Sequence, residues 1–277
     1  MQEEQVTIGG KAGRLYGVLY RPDEASRGSF VFCDPMFEER KSANRAMVEA
    51  ARHLCGEGWT VLRFDYRGCG DSPGEFTDFC PADWVSDIES AATFLWKAGH
   101  GHSGPGGGNR GLLGLRLGAT LAVQAAVRLP QVDRLVLWEP ASSGADYFEQ
   151  ELRKKLMKEM VTFGRSRENR ESLLRTLEQG GDMDFDGYAV SARLYKGLRD
   201  LHTDIPPAMK FRSLLIHIGH QSQISREIAR LHQRFVDAGT AAETRAVVGK
   251  PFWNLIGYTD CAELFRVTAE WLRSARG

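Results

Sequence analysis

Short runs rich in valine, leucine and isoleucine alternate along this 277-residue chain with longer stretches whose apolar residues recur at helical spacing. Runs that are apolar throughout are typical of strands covered on both faces, and their alternation with helices is typical of parallel crossovers. We therefore predict an α/β fold with a mostly parallel central sheet flanked by helices. The predicted strands are "RLYGVLY" (14–20, near a sheet edge), "SFVFCD" (29–34), "TVLRFD" (60–65), "GLLG" (111–114), "VDRLVLWEP" (132–140), "SLLIHIG" (213–219) and "TRAVVG" (244–249).

Helices are predicted between these strands. The stretch 42–58 begins with a serine, keeps its apolar residues at helical spacing and ends with a glycine, so it is predicted to be a helix. An amphipathic helix with Trp84 and Ile88 on one face is predicted over 82–99. Further helices are predicted over 116–130, 224–238 and 262–275, and the glycine-rich stretch 100–110 is predicted to be a loop.

The pattern changes between residues 141 and 212. This part of the chain carries charged, amphipathic stretches such as "ADYFEQELRKKLMKEMVTFG" and has no long strand of valine and isoleucine. We predict that residues 141–212 form a helical cap, or lid, inserted before the last two strands. Residues 1–140 and 213–277 would then form the core of the fold.

Charge and cysteine usage limit the classes of partner. Thirty-six basic residues balance thirty-six acidic ones, so no overall field attracts the chain to nucleic acid. No secretory signal or membrane-spanning stretch is recognisable, and the five cysteines lack the paired spacing of a zinc site. We expect a cytoplasmic protein with no membrane span, metal or cofactor, whose partner is a small molecule. A homodimer or a protein partner stays open.

Polar side chains follow the predicted strands at the points where these end. Ligands of parallel α/β sheets bind beyond the carboxyl ends of the strands, and an insertion between Glu139 and His217 would close over that end. The sequence therefore predicts a lidded pocket at this edge of the sheet. The polar residues at the strand ends are Asp34, Asp65, Arg116, Glu139, His217 and Lys250.

Arg116 lies where the strand "GLLG" turns directly into a helix. The partial positive charge of a helix N-terminus disfavours a cation there, so this guanidinium requires a carboxylate. Glu38, Glu39 or Glu139 could supply it within the chain, as an internal ion pair. A ligand could equally supply it, and both interpretations stay open.

The order of the strands, "FDYRGCGDSPG" (64–74), "GLRLGA" (114–119) and the helical insertion resemble the α/β-hydrolase fold over nearly the whole chain. Four shorter stretches are similar to the exosortase A system-associated hydrolase 2 subfamily, whose members are named for their place in bacterial exopolysaccharide and protein-sorting gene clusters. These stretches are "FCDPMFEERKSANRAM" (32–47), "GLRLGATLA" (114–122), "GYAVS" (187–191) and "GKPFWN" (249–254).

The resemblance implies a catalytic triad that this chain does not carry. An active α/β-hydrolase presents a serine within G-x-S-x-G, and its base is a histidine in the loop after the last strand. Arg116 stands at the serine position here, and "GKPFWN" contains no histidine. Glu139 stands where an acid could substitute for the usual one. An arginine has no lone pair with which to attack a carbonyl, so the resemblance implies a hydrolase-like protein without serine chemistry.

Other parts of the implied site remain. The backbone N–H of Leu117 and those near Met36 would point into the pocket as an oxyanion hole does. Phe37, Tyr188, Phe252 and Trp253, with Glu39, would line a binding pocket, although the aromatic side chains are equally consistent with packing of the lid on the core.

Three functions are compatible with the sequence. In the first, Arg116 with Glu139 or Glu38 acts on an anionic, acyl or glycan-derived small molecule by non-serine chemistry. In the second, the chain is a pseudo-hydrolase that only binds, or that serves as an assembly partner. In the third, an ester or thioester hydrolase uses a displaced nucleophile: Cys33, Cys69 or Ser72.

Overall fold

The computed structural model describes residues 1–10, 13–97, 109–164, 169–207 and 209–274. Within these ranges the chain forms an α/β fold of strands and helices, together with two short 3-10 helices (Phe76–Asp78 and Phe252–Asn254). The strands are β1 (Gln2–Gly10), β2 (Gly13–Arg21), β3 (Gly28–Cys33), β4 (Thr60–Phe64), β5 (Asn109–Leu115), β6 (Arg134–Trp138), β7 (Met183–Phe185), β8 (Tyr188–Val190), β9 (Arg212–Gly219) and β10 (Ala241–Val248). The helices are α1 (Phe37–Gly56), α2 (Pro81–Lys97), α3 (Leu117–Arg128), α4 (Gly144–Phe163), α5 (Arg170–Glu178), α6 (Ala192–Arg199), α7 (Arg226–Asp237) and α8 (Ala262–Ser274).

The main sheet has eight strands in the order β1-β2-β4-β3-β5-β6-β9-β10. From β4 to β10 all neighbours are parallel, whereas β1 and β2 form an antiparallel edge. The predicted α/β fold with a mostly parallel central sheet flanked by helices is confirmed. Strand β1 was not predicted, because its side chains are mostly exposed and only Ile8 is fully buried, so no apolar run marks it.

Two layers of side chains cover the sheet. Adjacent residues of a strand point to opposite faces, so Leu112 of β5 packs with the layer under α2 and α3 while Leu113 packs with the layer under α1 and α8. Strand β3 is buried along its whole length. This two-sided burial explains why the inner strands are recognisable as continuous apolar runs.

Helix α1 begins earlier than predicted. The expected start was Ser42, but the helix begins at Phe37, directly after β3. Met36 is its N-cap residue and makes no side-chain capping hydrogen bond, so the usual sequence mark of a helix start is missing. The earlier start places Glu38 and Glu39 in the first turn, at the carboxyl edge of the sheet.

The segment between β6 and β9 contains α4, α5, the hairpin β7–β8 and α6. The helical character of its first part, now α4 and α5, was predicted, whereas α6 was not, and the three-residue strands of the hairpin are too short to produce a recognisable pattern. That residues 141–212 act as a lid stays a prediction. Most of the loop predicted over 100–110 lies outside the described residues.

Helix α3 packs unusually close to the sheet. A Cβ added to Gly118 would lie 2.2 Å from the carbonyl oxygen of Cys33, and one added to Gly114 would lie 2.5 Å from the Cα of Ala119. Glycine is required at both positions because larger residues would overlap with the backbone. The contact fixes the start of α3 against β3 and β5.

We therefore expect Gly118→Ala to lower the free energy of unfolding by about 2–4 kcal/mol, since backbone atoms cannot move aside cheaply. Gly56→Ala is the matched control, because nothing lies within 4 Å of the added Cβ at the end of α1. The control should be neutral or stabilising by up to ~1 kcal/mol. Urea denaturation measures both, and equal stability of the two variants would contradict the close packing.

Candidate functional site

Residues with strained backbone lie just beyond the ends of three neighbouring strands. Phe37 follows β3 with φ 55°, Arg116 follows β5 with φ 54°, and Glu139 follows β6 with φ 40°. Non-glycine residues in this left-handed region cost roughly 1–3 kcal/mol each and concentrate at functional sites. The strain marks this point of the carboxyl edge, where the sequence also predicts the pocket.

The backbone of Arg116 forms the sharp turn between β5 and α3, with ψ −121°. Its N–H donates to the carbonyl of Trp138 at 3.0 Å, and its carbonyl accepts from the N–H of Ala119 at 3.1 Å. These bonds aim the side chain away from the sheet and into the space beneath α4. The side chain is almost entirely buried there, and the residue is only 7% exposed.

The Arg116 guanidinium is bound inside the protein. Nε donates to Oε1 of Glu39 at 3.2 Å, and Nη2 donates to Oε1 of Gln150 at 2.8 Å. The group lies between two rings, 5.8 Å from the centre of Tyr147 and 5.5 Å from that of Trp253. Burial disfavours the charge, but Glu39, Tyr147 and Glu139 together outweigh this effect, so the pKa of Arg116 is raised. Arg116 therefore connects the sheet to α1, α4 and the loop after β10.

Of the three carboxylates considered for Arg116, the structure pairs it with Glu39. Glu38 is one residue earlier on α1 and therefore about 100° around the helix, where it is exposed and contacts Lys41 at 3.4 Å. Glu139 offers Arg116 its backbone carbonyl at 3.4 Å rather than its carboxylate. Of the alternatives left open by the sequence, the structure therefore has the internal ion pair, formed with Glu39 and not with Glu38 or Glu139.

A second cation joins Glu39. The Lys154 ammonium lies 2.9 Å from Oε1 of Glu39, is hydrogen-bonded to the carboxylate of Glu151, and donates to Oδ1 of Asn254 at 2.8 Å. Glu39 is 1% exposed. Burial raises the pKa of Glu151 to about 7, and the charge of Glu39 adds to this effect while Lys154 opposes it. Glu151 is therefore a carboxyl group that exchanges its proton near neutral pH.

These α4 residues were not predicted as part of the site. Tyr147, Gln150, Glu151 and Lys154 are spaced i, i+3, i+4 and i+7, so they share one face of the helix. The Tyr147 hydroxyl also donates to the carbonyl of Met36 at 3.1 Å. The helical spacing in "YFEQELRK" was a signal for a polar inward face, but it could not indicate which strand end the face would meet.

Glu139 forms a separate pair with His217. Its Oε2 lies 2.9 Å from Nδ1 of His217 and accepts the backbone N–H of Ile218 at 2.6 Å. Burial raises the pKa of Glu139, although this N–H, His217 and Arg116 all oppose the rise. An acid bound to an imidazole can move protons. His217 lies on β9, however, and not in the loop after the last strand, where an α/β-hydrolase carries its base. In this chain, that loop places Trp253 against the guanidinium of Arg116.

A cleft of about 400 Å³ opens between α1, α4, the β7–β8 hairpin and the loop after β10. It brings together five residues of the predicted site. Phe252 is not in its lining; it packs against Trp253 in the layer of side chains under α1 and α8. The lining consists of Phe37, Glu38, Glu39, Ser42, Glu151, Lys154, Lys155, Lys158, Phe185, Asp186, Tyr188, Trp253, Asn254 and Ile256.

Met36 and Leu117 are fully buried at the starts of α1 and α3. Neither Met36 nor Arg116, the two N-cap residues, makes a side-chain capping hydrogen bond. The first N–H groups of a helix have no partner one turn earlier within it, and both helices begin at this edge. The use of these donors as an oxyanion hole stays a prediction.

The displaced nucleophiles considered from the sequence have structural surroundings. Burial raises the pKa of the Cys33 thiol well above its ordinary value and that of Cys69 to about 12, so neither is a thiolate near neutral pH. The Ser72 hydroxyl donates to the carbonyl of Asp65 at 2.6 Å and accepts the N–H of Tyr16 at 2.9 Å. No base activates any of the three among these contacts.

Across the described residues, no group of three histidine, cysteine, aspartate or glutamate side chains is placed to hold a metal ion. None of the helices within those ranges is both long enough and apolar enough to cross a bilayer.

The buried Arg116–Glu39 ion pair should contribute to the free energy of unfolding. Arg116→Met should lower the free energy of unfolding by about 3–5 kcal/mol, because it leaves the buried Glu39 without its guanidinium. The double variant Arg116→Met/Glu39→Gln should lose clearly less than the sum of the two single variants. Glu38→Gln, the exposed neighbour, is the control and should change stability by at most ~0.5 kcal/mol. Additive losses in urea denaturation would show that the two groups are not coupled.

Known proteins match part of this chain in sequence. Residues 26–180 match the family model described as serine aminopeptidase, S33 (Hydrolase_4). The uncharacterized protein RP471 of Rickettsia prowazekii (strain Madrid E) is 26% identical over 138 residues, which are 49% of this chain and 55% of the relative. The chain thus spans about half the length of that curated relative.

Solved structures share the fold over the full length of the chain. The esterase PF2001 of Pyrococcus furiosus is 17% identical, with a TM-score of 0.65 over 100% of this chain and 91% of the esterase. Est1E of Butyrivibrio proteoclasticus, solved with ferulic acid bound, is 13% identical, with a TM-score of 0.68 over 97% of this chain and 98% of Est1E. Because the family match spans more than half of the chain and its core has the same fold, the chain belongs to the serine aminopeptidase S33 family of α/β-hydrolases.

Proposed function

We propose that this protein binds a small carboxylic acid with an aromatic or apolar portion in the cleft beside α4, and that it does not cleave esters through a serine. The observation that carries the proposal is the place of the Arg116 side chain. It occupies the nucleophile position of the fold and is held there by Glu39 and Gln150 between two aromatic rings. The ligand therefore binds next to Arg116, not through it.

The chain lacks both a serine nucleophile at the elbow and a histidine base in the loop after β10. The guanidinium is protonated and has no lone pair for attack on a carbonyl carbon. The loop that would supply the base places Trp253 against the guanidinium instead of an imidazole. Loss of both groups supports binding rather than ester cleavage.

The lining of the cleft supports a ligand that is both flat and acidic. Phe37 and Tyr188 meet edge to face at 5.7 Å, and Trp253 forms a further wall. Lys158 is 65% exposed and pairs with Asp186 at 3.1 Å. Exposed pairs of this kind contribute little to stability, so Lys158 can exchange Asp186 for the carboxylate of a ligand.

The ligand, the biological role and the compartment can be specified further. The resemblance to the exosortase A system-associated hydrolases supports an acyl or glycan-derived acid as ligand, and a role in exopolysaccharide production. All five cysteines are free thiols, which supports a reducing compartment such as the cytoplasm. Est1E was solved with ferulic acid, an aromatic carboxylic acid of the proposed class, which makes ferulate a reasonable first probe.

A second candidate function is acid–base catalysis in the same cleft. It is favoured by Glu151, whose pKa of about 7 suits a group that gives and takes protons at neutral pH. Turnover of acyl esters or glycosides that is lost in Glu151→Gln, with the fold intact, would favour this function over binding alone.

Ferulate binding should be measurable by calorimetry and should tighten as the pH falls from 8 to 6. Protonation of Glu151 in this range removes a negative charge beside the cleft, while the ligand, whose carboxyl group titrates near ~4, stays ionised. Glu151→Gln should abolish the pH dependence.

Lys158→Ala should weaken ferulate binding about three- to tenfold, whereas Lys210→Ala, an exposed lysine outside the cleft, should leave it unchanged. Equal effects of the two lysine variants would show that ferulate does not bind in the cleft. No binding of either ferulate or a medium-chain fatty acid would overturn the proposed ligand class.

A fluorophosphonate probe should label neither the wild-type protein nor Arg116→Ser. The variant restores a hydroxyl at the elbow but not the histidine base, so the serine stays unactivated. A genuine serine esterase treated in parallel provides the positive control. Stoichiometric labelling of the wild-type protein would contradict the absence of serine chemistry.

A further inference from the structure

The last three turns of α4 expose an unusual set of side chains. Met157, Met160 and Val161 are 68%, 54% and 86% exposed. The most exposed charged residues between Arg153 and Phe163 are cations: Arg153, Lys154 and Lys158. The one acidic residue in that stretch, Glu159, is largely buried and pairs with Lys155 at 2.8 Å.

Helical spacing places these residues on one face. Arg153, Met157, Met160 and Val161 are related by i, i+4, i+7 and i+8, so they form a continuous stripe. Lys154 and Lys158 flank the stripe on the side that lines the cleft. We call these six residues the α4 patch.

The α4 patch has an apolar centre and a cationic border. Exposed methionine and valine side chains gain free energy when they leave water, at roughly 25 cal/mol per Å². A helix with a basic polar border and an apolar stripe binds in the interface of an anionic bilayer, where lipid phosphates meet the cations. The chain has no net charge, so this attraction has to come from the local cluster.

We propose that the α4 patch docks this protein on the surface of an anionic membrane, as a peripheral contact without a membrane-spanning segment. Met157, Met160 and Val161 would enter the head-group region, and Arg153 and Lys158, the exposed cations of the patch, would contact lipid phosphates. A twofold dimer through the same patch is disfavoured, because it would bring the cations of one copy against those of the other.

Docking in this orientation would bring the cleft close to the membrane. Two exposed residues, Ile256 and Lys158, line the cleft at its solvent-facing rim. An apolar acid dissolved in the lipid could then reach the cleft without crossing bulk water. The docking itself depends only on the α4 patch and not on the ligand proposed for the cleft.

Vesicle flotation tests the inference with the full chain. Vesicles of phosphatidylcholine alone are compared with vesicles of equal parts phosphatidylcholine and phosphatidylglycerol, at low and at high salt. We expect binding to the anionic vesicles, weaker binding at high salt and little binding to phosphatidylcholine alone.

Variants of exposed residues should preserve the fold. Lys158→Gln should weaken the partition onto anionic vesicles about fivefold, and Met157→Gln/Val161→Gln at least tenfold. The matched controls, Val236→Gln on α7 and Lys210→Gln, should bind like the wild-type protein.

Failure to float with anionic vesicles, or equal binding by patch and control variants, would overturn the inference. Self-association in light scattering that the patch variants abolish would assign the surface to a second copy and would also overturn it. Normal vesicle binding with no ferulate binding would leave the docking in place and reject only the ligand proposal.

Discussion

The buried ion pair between Arg116 and Glu39 is the interaction on which the site depends. A guanidinium at a helix N-terminus is unfavourable unless a carboxylate accompanies it, and Glu39 reaches it from the first turn of α1 at 3.2 Å. Gln150 then attaches α4 to the same group. In this way, Arg116 links α4 to the turn between β5 and α3.

The turn that presents Arg116 is tightly constrained by its neighbours. Gly114 and Gly118 still allow α3 to approach the sheet, and φ of Arg116 remains at 54°. Backbone strain of this kind persists only where surrounding contacts over-determine it. Here the contacts are the bonds of Arg116 to Glu39 and Gln150. Further titratable groups surround the arginine: Glu151 in the cleft and the Glu139–His217 pair.

The sequence predicts the sheet well because two-sided burial leaves a continuous apolar run in each inner strand. It does not predict β1, whose exposed residues carry no such run, or the true start of α1 at Phe37. The choice of Glu39 over its neighbour Glu38 depends on the helical phase set by that start. The residues of α4 that complete the site lie within "YFEQELRK", and only long-range packing places their face over the elbow.

Native-state hydrogen exchange on wild-type protein and Arg116→Met tests most directly whether the arginine holds α4 in place. We predict that the amides of α4 lose at least tenfold more protection than those of α8, because α8 reports only the overall loss of stability whereas α4 also loses its link through Arg116. Unchanged protection of α4 would show that Arg116 does not connect it to the sheet, and would contradict the account of the elbow arginine as a structural link.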